Sequence, residues 1–334
     1  MAYQNVGTPR FFIDHGLWLH SSGISSQYST GDAYQDELIQ LNPSRKSMPI
    51  GGAFYINVPR YSPIHYVAYL NHTGGTMYPY WTNSAGEDAA DPGIISHING
   101  QSYLDSASVS YDGFSIFYIT DNPASSINLW AYARDTDHMG AISIGSLFDM
   151  PNAPNLSLTM SREYGGTKEF TTYNGSSMSN TMWNKPPVWG DLGAWELEEG
   201  NSSLAKSGRR TWDLKFSFMD DSDLWGSNQS LGIDTNDSDA GWEAYAPIVH
   251  NPSSFESGDI DNDYFNYNIL TDGNFFSQVW HKTLGGTLPF IFQPDNNNSD
   301  PDQYSICKFK NNSLKVNQSA FNVYDISLSI EEVW

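Results

Sequence analysis

Residues Trp212, Leu214, Phe216 and Phe218 alternate with Asp213, Lys215 and Ser217, and this period of two restricts the fold more than any other feature. Successive side chains of a strand point to opposite faces, so the pattern describes a strand with one buried and one wetted face. The pattern recurs at the carboxyl end, where Tyr324, Ile326, Leu328 and Ile330 face one way, opposed by Asp325, Ser327, Ser329 and Glu331. Between the two stretches the chain predicts one helix of about three turns. Asp272 is suited to its N-cap, Phe275, Phe276, Val279, Trp280 and Leu284 fall at helical spacing, and Gly285-Gly286 supplies a left-handed stop. A strand over 288–292 ended by Pro294, a polar loop over 295–302 and a strand over 303–309 complete this segment.

Upstream, short runs rich in aromatic and β-branched residues are punctuated by Gly, Pro and Asn: 54–58, 64–70, 114–119, 127–133, 141–144 and 156–160. This spacing predicts sandwich strands rather than alternating strand and helix units. Before Pro43 only 11–19 and 33–41 are apolar, the second read as a short helix with Asp32 as N-cap, so the N-terminus is expected to be an arm or small subdomain. Residues 220–263 run through Asp, Ser, Asn and Gly, as an exposed insertion would. The expected fold is mainly β: β-sandwich-type domains with one C-terminal helix packed on a sheet and a small N-terminal arm. The expected division is an arm over 1–50, a β-rich outward domain over 51–190, and an assembly domain over 191–334 that carries the insertion.

The chain has 334 residues, of which 16 are Lys or Arg and 38 are Asp or Glu, a formal charge of −22. Such a surface repels phosphate backbones, because nucleic-acid affinity depends on cations displacing condensed counterions. Nucleic-acid binding and attachment to anionic membranes are therefore not expected, whereas a conduit along which DNA slides without sticking suits the charge, as does simple solubility. Charged residues make up only 16%, below the roughly 25% usual in globular domains, while aromatics reach 14%. The single cysteine, Cys307, sits in an apolar strand and is expected to be a buried, inert thiol. The first ten residues lack a basic stretch followed by an apolar one, and no apolar run approaches the ~20 residues that span a bilayer. Synthesis in a cytoplasm without membrane insertion is the expectation.

Constellations for chemistry are weak. Asp259, Asp261 and Asp263 match the start of a calcium loop, but Tyr264 stands where Gly is needed and Leu270 where Glu is needed. No histidine pair has zinc-helix or zinc-ribbon spacing, and neither a nucleophile elbow nor a phosphate-cradling loop is present. No cofactor, metal or catalytic residue is assigned. Glu196, Glu198 and Glu199 lie beside Trp195 and supply carboxylates of the kind glycoside hydrolysis uses. Tyr78, Tyr80 and Trp81 are candidates for contact with host surface glycans, against ordinary packing. Arg209 and Arg210, two cations in a chain with few, are candidates for an ion pair between acidic subunits, against plain exposure at a strand start.

The C-terminal text resembles minor tail and distal tail proteins of tailed phages, particularly marine ones. The likeness rests on Ser207-Gly208-Arg209-Arg210-Thr211-Trp212-Asp213-Leu214, on the predicted helix through Trp280, and on Gly286-Thr287-Leu288-Pro289-Phe290-Ile291-Phe292-Gln293-Pro294-Asp295. The stretch from Gln303-Tyr304-Ser305-Ile306-Cys307 to Ile330-Glu331-Glu332-Val333-Trp334 completes it. It covers roughly residues 193–334, more weakly 140–175. The resemblance implies a non-enzymatic structural protein of the virion tail, near the tail tip or baseplate, that forms a homo-oligomeric ring, usually a hexamer, and meets other tail proteins. Length and the insertion depart from that family and leave its tier in the tail open. Two other roles share these features: a carbohydrate-binding or glycan-hydrolysing β protein, and a head-to-tail joining or capsid-decorating protein.

Overall fold

The computed structural model describes residues 6–22, 48–49, 53–59, 64–70, 79–82, 94–97, 115–119, 126–132, 138–163, 167–181, 209–225, 273–299 and 303–333. Their strands are β1 (Arg10–Asp14), β2 (Met48–Pro49), β3 (Ala53–Pro59), β4 (Tyr66–Leu70), β5 (Pro79–Thr82), β6 (Ile94–His97), β7 (Ser115–Ile119), β8 (Ser126–Tyr132) and β9 (His138–Met139). They continue with β10 (Ala141–Asp149), β11 (Thr159–Glu163), β12 (Thr167–Thr171), β13 (Ser177–Thr181), β14 (Arg209–Asp220), β15 (Phe290–Gln293), β16 (Ser305–Phe309), β17 (Val316–Ala320) and β18 (Val323–Glu332). Helices are few: α1 (His15–Ser21), α2 (Asp221–Leu224) and a π-helical segment, Phe276–His281.

Eleven strands form one sheet in the order β11-β14-β18-β16-β15-β1-β10-β4-β7-β6, with β17 added alongside β18. The fold is thus mainly β, and every pairing between neighbours in this sheet is antiparallel. Three smaller sheets are described beside it: β3-β8-β5, β12-β13 and β2-β9.

β1 ties the N-terminal segment into the main sheet. Arg10–Asp14 is an interior strand, paired with β10 on one side and β15 on the other, and it joins the middle of the chain to the C-terminal segment. The main sheet thus takes strands from both sides of residues 50 and 190. Alternation sends Phe11 and Ile13 into one core, with Trp212, Leu214, Phe216, Phe275, Trp280, Phe292, Phe309 and Ile330. Phe12 enters the other, with Leu17, Tyr66, Leu70, Ile116, Ile291 and Ile306. A strand buried on both faces reads as a continuous apolar run, which is why Arg-Phe-Phe-Ile-Asp carried no strand signature. Gly145, opposite Asp14, is required here, because a Cβ at that position would run into the Ile13 carbonyl oxygen.

The two alternating strands are found where expected and are neighbours, with Trp212 opposite Ile330 and Leu214 opposite Leu328. Phe218 breaks the pattern. A register shift between Phe216 and Met219 puts an extra residue into β14, Phe218 adopts φ 61° and is 79% exposed, and Met219 takes the buried position instead. Such a bulge bends one strand and re-aims one side chain. Directly after it α2 anchors Leu224 in the core, so the insertion expected from 220 onward opens as packed structure. Residues 226–272 lie outside the described residues, as do 33–41.

The C-terminal helix is shorter than expected and wound as a π-helix over Phe276–His281. The Ser277 N–H donates to Asn274 Oδ1 at 2.8 Å, so Asn274 supplies the side-chain cap assigned to Asp272, which lies outside the described residues. The turn buries Ser277, Gln278, Val279 and Trp280 in succession. Gly285 and Gly286 end it at φ 67° and 83°, as their pairing predicted. Trp280 packs on Phe309 with ring centroids 5.2 Å apart.

Candidate functional site

Two groups of functional side chains stand out. The first lies where β14, β16 and β18 meet. Arg210 and Glu332 each occupy the last buried-face position of an alternating strand, two residues beyond Trp212 and Ile330. Arg210 Nη2 donates to Glu332 Oε1 at 3.0 Å and to the Tyr304 carbonyl at 3.1 Å, and Nε donates to Glu332 Oε2 at 3.2 Å. The Arg210 backbone N–H also donates to Oε2 at 3.0 Å, and the guanidinium lies 5.6 Å from the centre of the Trp212 ring. The Glu332 side chain is only 1% exposed, so it depends on this fork for its charge to be tolerated. Cys307 stands opposite Glu332, and its burial, aided by that carboxylate, pushes the thiol well above its usual range.

Beside this lock a cleft of about 80 Å³ opens between β11 and β14. Arg162 and Arg210 line it together with Trp212, Met160, Pro294 and Gln303. Arg162 is the direct cross-strand partner of Arg210, and Met160 that of Trp212. Ser161 and Thr211, also opposite each other, share a short hydroxyl–hydroxyl hydrogen bond.

The second group is a buried polar seam under α1. Asp14 Oδ1 caps that helix by accepting from the Leu17 N–H at 2.9 Å. Burial raises the Asp14 carboxyl to about 7, outweighing the hydrogen bonds that favour its charge. His15 Nε2 and Ser146 Oγ are 2.9 Å apart, and Tyr66 Oη and Ser143 Oγ 2.8 Å apart. Burial first, and then the nearby Lys282, holds His15 well below the usual imidazole range. Lys282 itself donates to Gln278 Oε1 at 2.7 Å, lies 6.0 Å from the centre of the Trp18 ring, and is lowered to about 7 by burial. His15 and Ser146 have the components of a nucleophilic dyad. At 0% and 2% exposure, however, they are out of a substrate's reach, and the geometry assigns them to holding α1 against β10.

The candidates chosen from sequence distribute as follows. Arg210 is a partner of Glu332 within its own chain. Arg209 is half-buried opposite Glu163. Tyr80 and Trp81 lie in β5, paired with Trp130 and Leu129, while Tyr78 lies outside the described residues. Glu196, Glu198, Glu199, Asp259, Asp261 and Asp263 also lie outside them. Among the described residues no group of three or more His, Cys, Asp or Glu is placed to hold a metal ion, and no helix is long and apolar enough to cross a membrane. Sequence reasoning missed Arg162, Glu332 and the whole seam. Glu332 had a signal, a charge at the buried parity of a strand, whereas the seam joins segments too distant for any local pattern.

The outer parts of the fold expose large apolar side chains. Hairpin β12–β13 sets Phe170 directly opposite Met178, about half exposed each, and its loop carries Tyr173, fully exposed. Leu156, Phe218 and Phe321 are also exposed, the last in the turn between β17 and β18. Comparison of the chain with protein-family models, curated proteins and solved structures gives no match.

Proposed function

We propose that this chain is a non-enzymatic structural protein of a phage tail, near the tip or baseplate, that works as a ring of identical copies in contact with other tail proteins. The virion assignment rests on the resemblance of residues 193–334 to minor and distal tail proteins. The observation that carries assembly is the distribution of apolar surface. Strands β1, β4 and β15 are buried on both faces, yet Leu156, Phe170, Tyr173, Met178 and Phe321 stand exposed away from them, and Phe218 stands exposed at the β14 bulge. Among these, the cross-strand pair Phe170 and Met178 offers adjoining apolar surface suited to contact with another protein. An antiparallel sheet this wide supplies a rigid frame for such contacts, because its strands lock one another through backbone hydrogen bonds.

The ring predicts a defined oligomer, six copies by the resemblance, in native mass spectrometry of the full chain. It also predicts antibody labelling at the distal tail of purified particles in electron microscopy. Absence of the protein from purified virions contradicts the tail assignment, and a protein that stays monomeric at all concentrations contradicts the ring.

A further inference from the structure

We propose that copies of this chain join head to tail by strand addition, β13 of one copy extending the main sheet of the next along β17; the inference rests on the self-association put forward above and names the surfaces that make it. An outer strand carries a row of unpaired backbone groups, and proteins shield such rows with charge, Pro, a register shift or brevity. Among the described terminal strands β11 has Arg162 and Glu163, β12 has Lys168 and Glu169, and β3 and β5 have Pro59 and Pro79. β6 is shifted in register along its four residues, and β2 and β9 are two residues long each. β13 has none of these devices: Ser177–Thr181 carries no charge and no Pro and pairs with β12 in unbroken register.

The hairpin is also unfinished as a sheet. Among the described residues β13 pairs only with β12, and a two-stranded ribbon is marginal in water until a further strand or a packed face completes it. The Thr172 N–H donates to the Ser176 carbonyl at 2.8 Å, and by the alternation of an antiparallel ladder this turns the backbone N–H and C=O of Ser177 and Ser179 to the open side. β17 is the receiving edge. Among the described residues it pairs only with β18, it is exposed at four of its five positions, and it has neither charge nor Pro. Its register shift lies between Gln318 and Ala320 and leaves Val316, Asn317 and Gln318 regularly paired. Both strands have five residues, so antiparallel addition over the full length sets Ala320 against Ser177 and Val316 against Thr181. Phe321, 87% exposed after β17, then meets the turn that carries the fully exposed Tyr173, and apolar surface is covered from both sides.

A second copy is the occupant for two reasons. A chain of charge −22 repels its own kind, so copies approach each other where charge is lowest, and neither β13 nor β17 carries any. In addition each copy owns both edges. Two different edges on one chain make a heterologous contact, the kind that closes a ring, with backbone hydrogen bonds supplying the affinity.

Sedimentation velocity on the full chain tests this with Met178→Asp, which puts a charge on β13, and Gln318→Asp, which puts one on β17. Both positions are exposed, so each variant is expected to keep the circular dichroism of the wild type. Each alone is expected to lose self-association at least about ten-fold. Mixed in equal amounts, each variant keeps the edge that the other lacks, so the mixture is expected to form one-to-one dimers and nothing larger. A folded variant that assembles as wild type does overturns the pairing and leaves the ring intact. So does a mixture of two folded variants that stays monomeric, and so does a Met178→Asp chain that keeps its rings but loses a neighbouring tail protein, which assigns the edge to that protein. A wild-type chain that never associates overturns both readings.

Discussion

The interior strands β4, β1 and β15 and the outlying hairpin β12–β13 both carry large apolar side chains and put them to opposite use. Tyr66–Leu70 is buried at every position, and Phe11, Phe12, Ile291 and Phe292 are 0% exposed. In the hairpin Phe170 and Met178 form a direct cross-strand pair, yet both stay about half in solvent. An aromatic side chain therefore does not declare its own role. What decides is whether a second layer covers it: α1 packs on β10 and the π-helical segment on β1 and β10, and no described helix packs on the hairpin to a similar extent.

Substitutions on the two sides of this contrast should differ sharply. Phe11→Ala removes a ring that contacts Phe275, Phe290, Phe292 and Phe309, and it should cost about 3–5 kcal/mol in chemical denaturation. A smaller loss would mean that the core beneath β1 collapses to fill the space. Arg210→Ala should cost a comparable amount, about 3–5 kcal/mol, since it strands a buried Glu332. Replacing both, as Arg210→Met with Glu332→Leu, should recover most of that loss, and a double variant as weak as the single one would show that the fork does more than neutralise a charge.

Next in size is a pH effect from the seam. Asp14 has its folded pKa raised from 3.8 to about 7, so its contribution to stability is full below about pH 4 and is lost as pH rises toward 7. Lys282 has its folded pKa lowered from 10.5 to about 7, so its contribution is full above about pH 10.5 and is lost as pH falls toward 7. Together they predict a dip in stability near neutrality, measurable as melting temperature against pH. Asp14→Asn, which keeps an acceptor for the Leu17 N–H, should flatten the acid arm alone. The smallest change is Phe170→Ala, expected to shift stability by no more than about 0.5 kcal/mol while weakening assembly in the ultracentrifuge. A loss near that of Phe11→Ala would place the hairpin in the core and erase the contrast.

Legibility followed locality. The alternation of β14 and β18 was readable because period two is a property of consecutive residues, and the Gly285-Gly286 stop because positive φ is a property of the residue itself. Phe218 was misread because a bulge inserts one residue, and after it every side chain changes face. The helix was overestimated in length because the spacing of Phe275, Val279 and Trp280 does not distinguish an α-helix from a wider π turn. Of the site, Arg210 was noticed for its charge but not its partner, although both Arg210 and Glu332 sit at the buried parity of strands that were recognised.

By itself the sequence determined the fold class, the two amphipathic strands, the left-handed stop after the helix and the burial of Cys307, since each follows from backbone geometry and the hydrophobic effect acting over a few residues. Only the tertiary structure decided that β1 lies between β10 and β15, that Arg210 belongs to Glu332, and that Arg162 faces Arg210. The reason is physical: those arrangements depend on which strands pair across long stretches of chain, 210 − 162 = 48 residues for Arg162 and Arg210 and more for the others, and pairing is selected by the packing of two whole cores rather than by any local pattern.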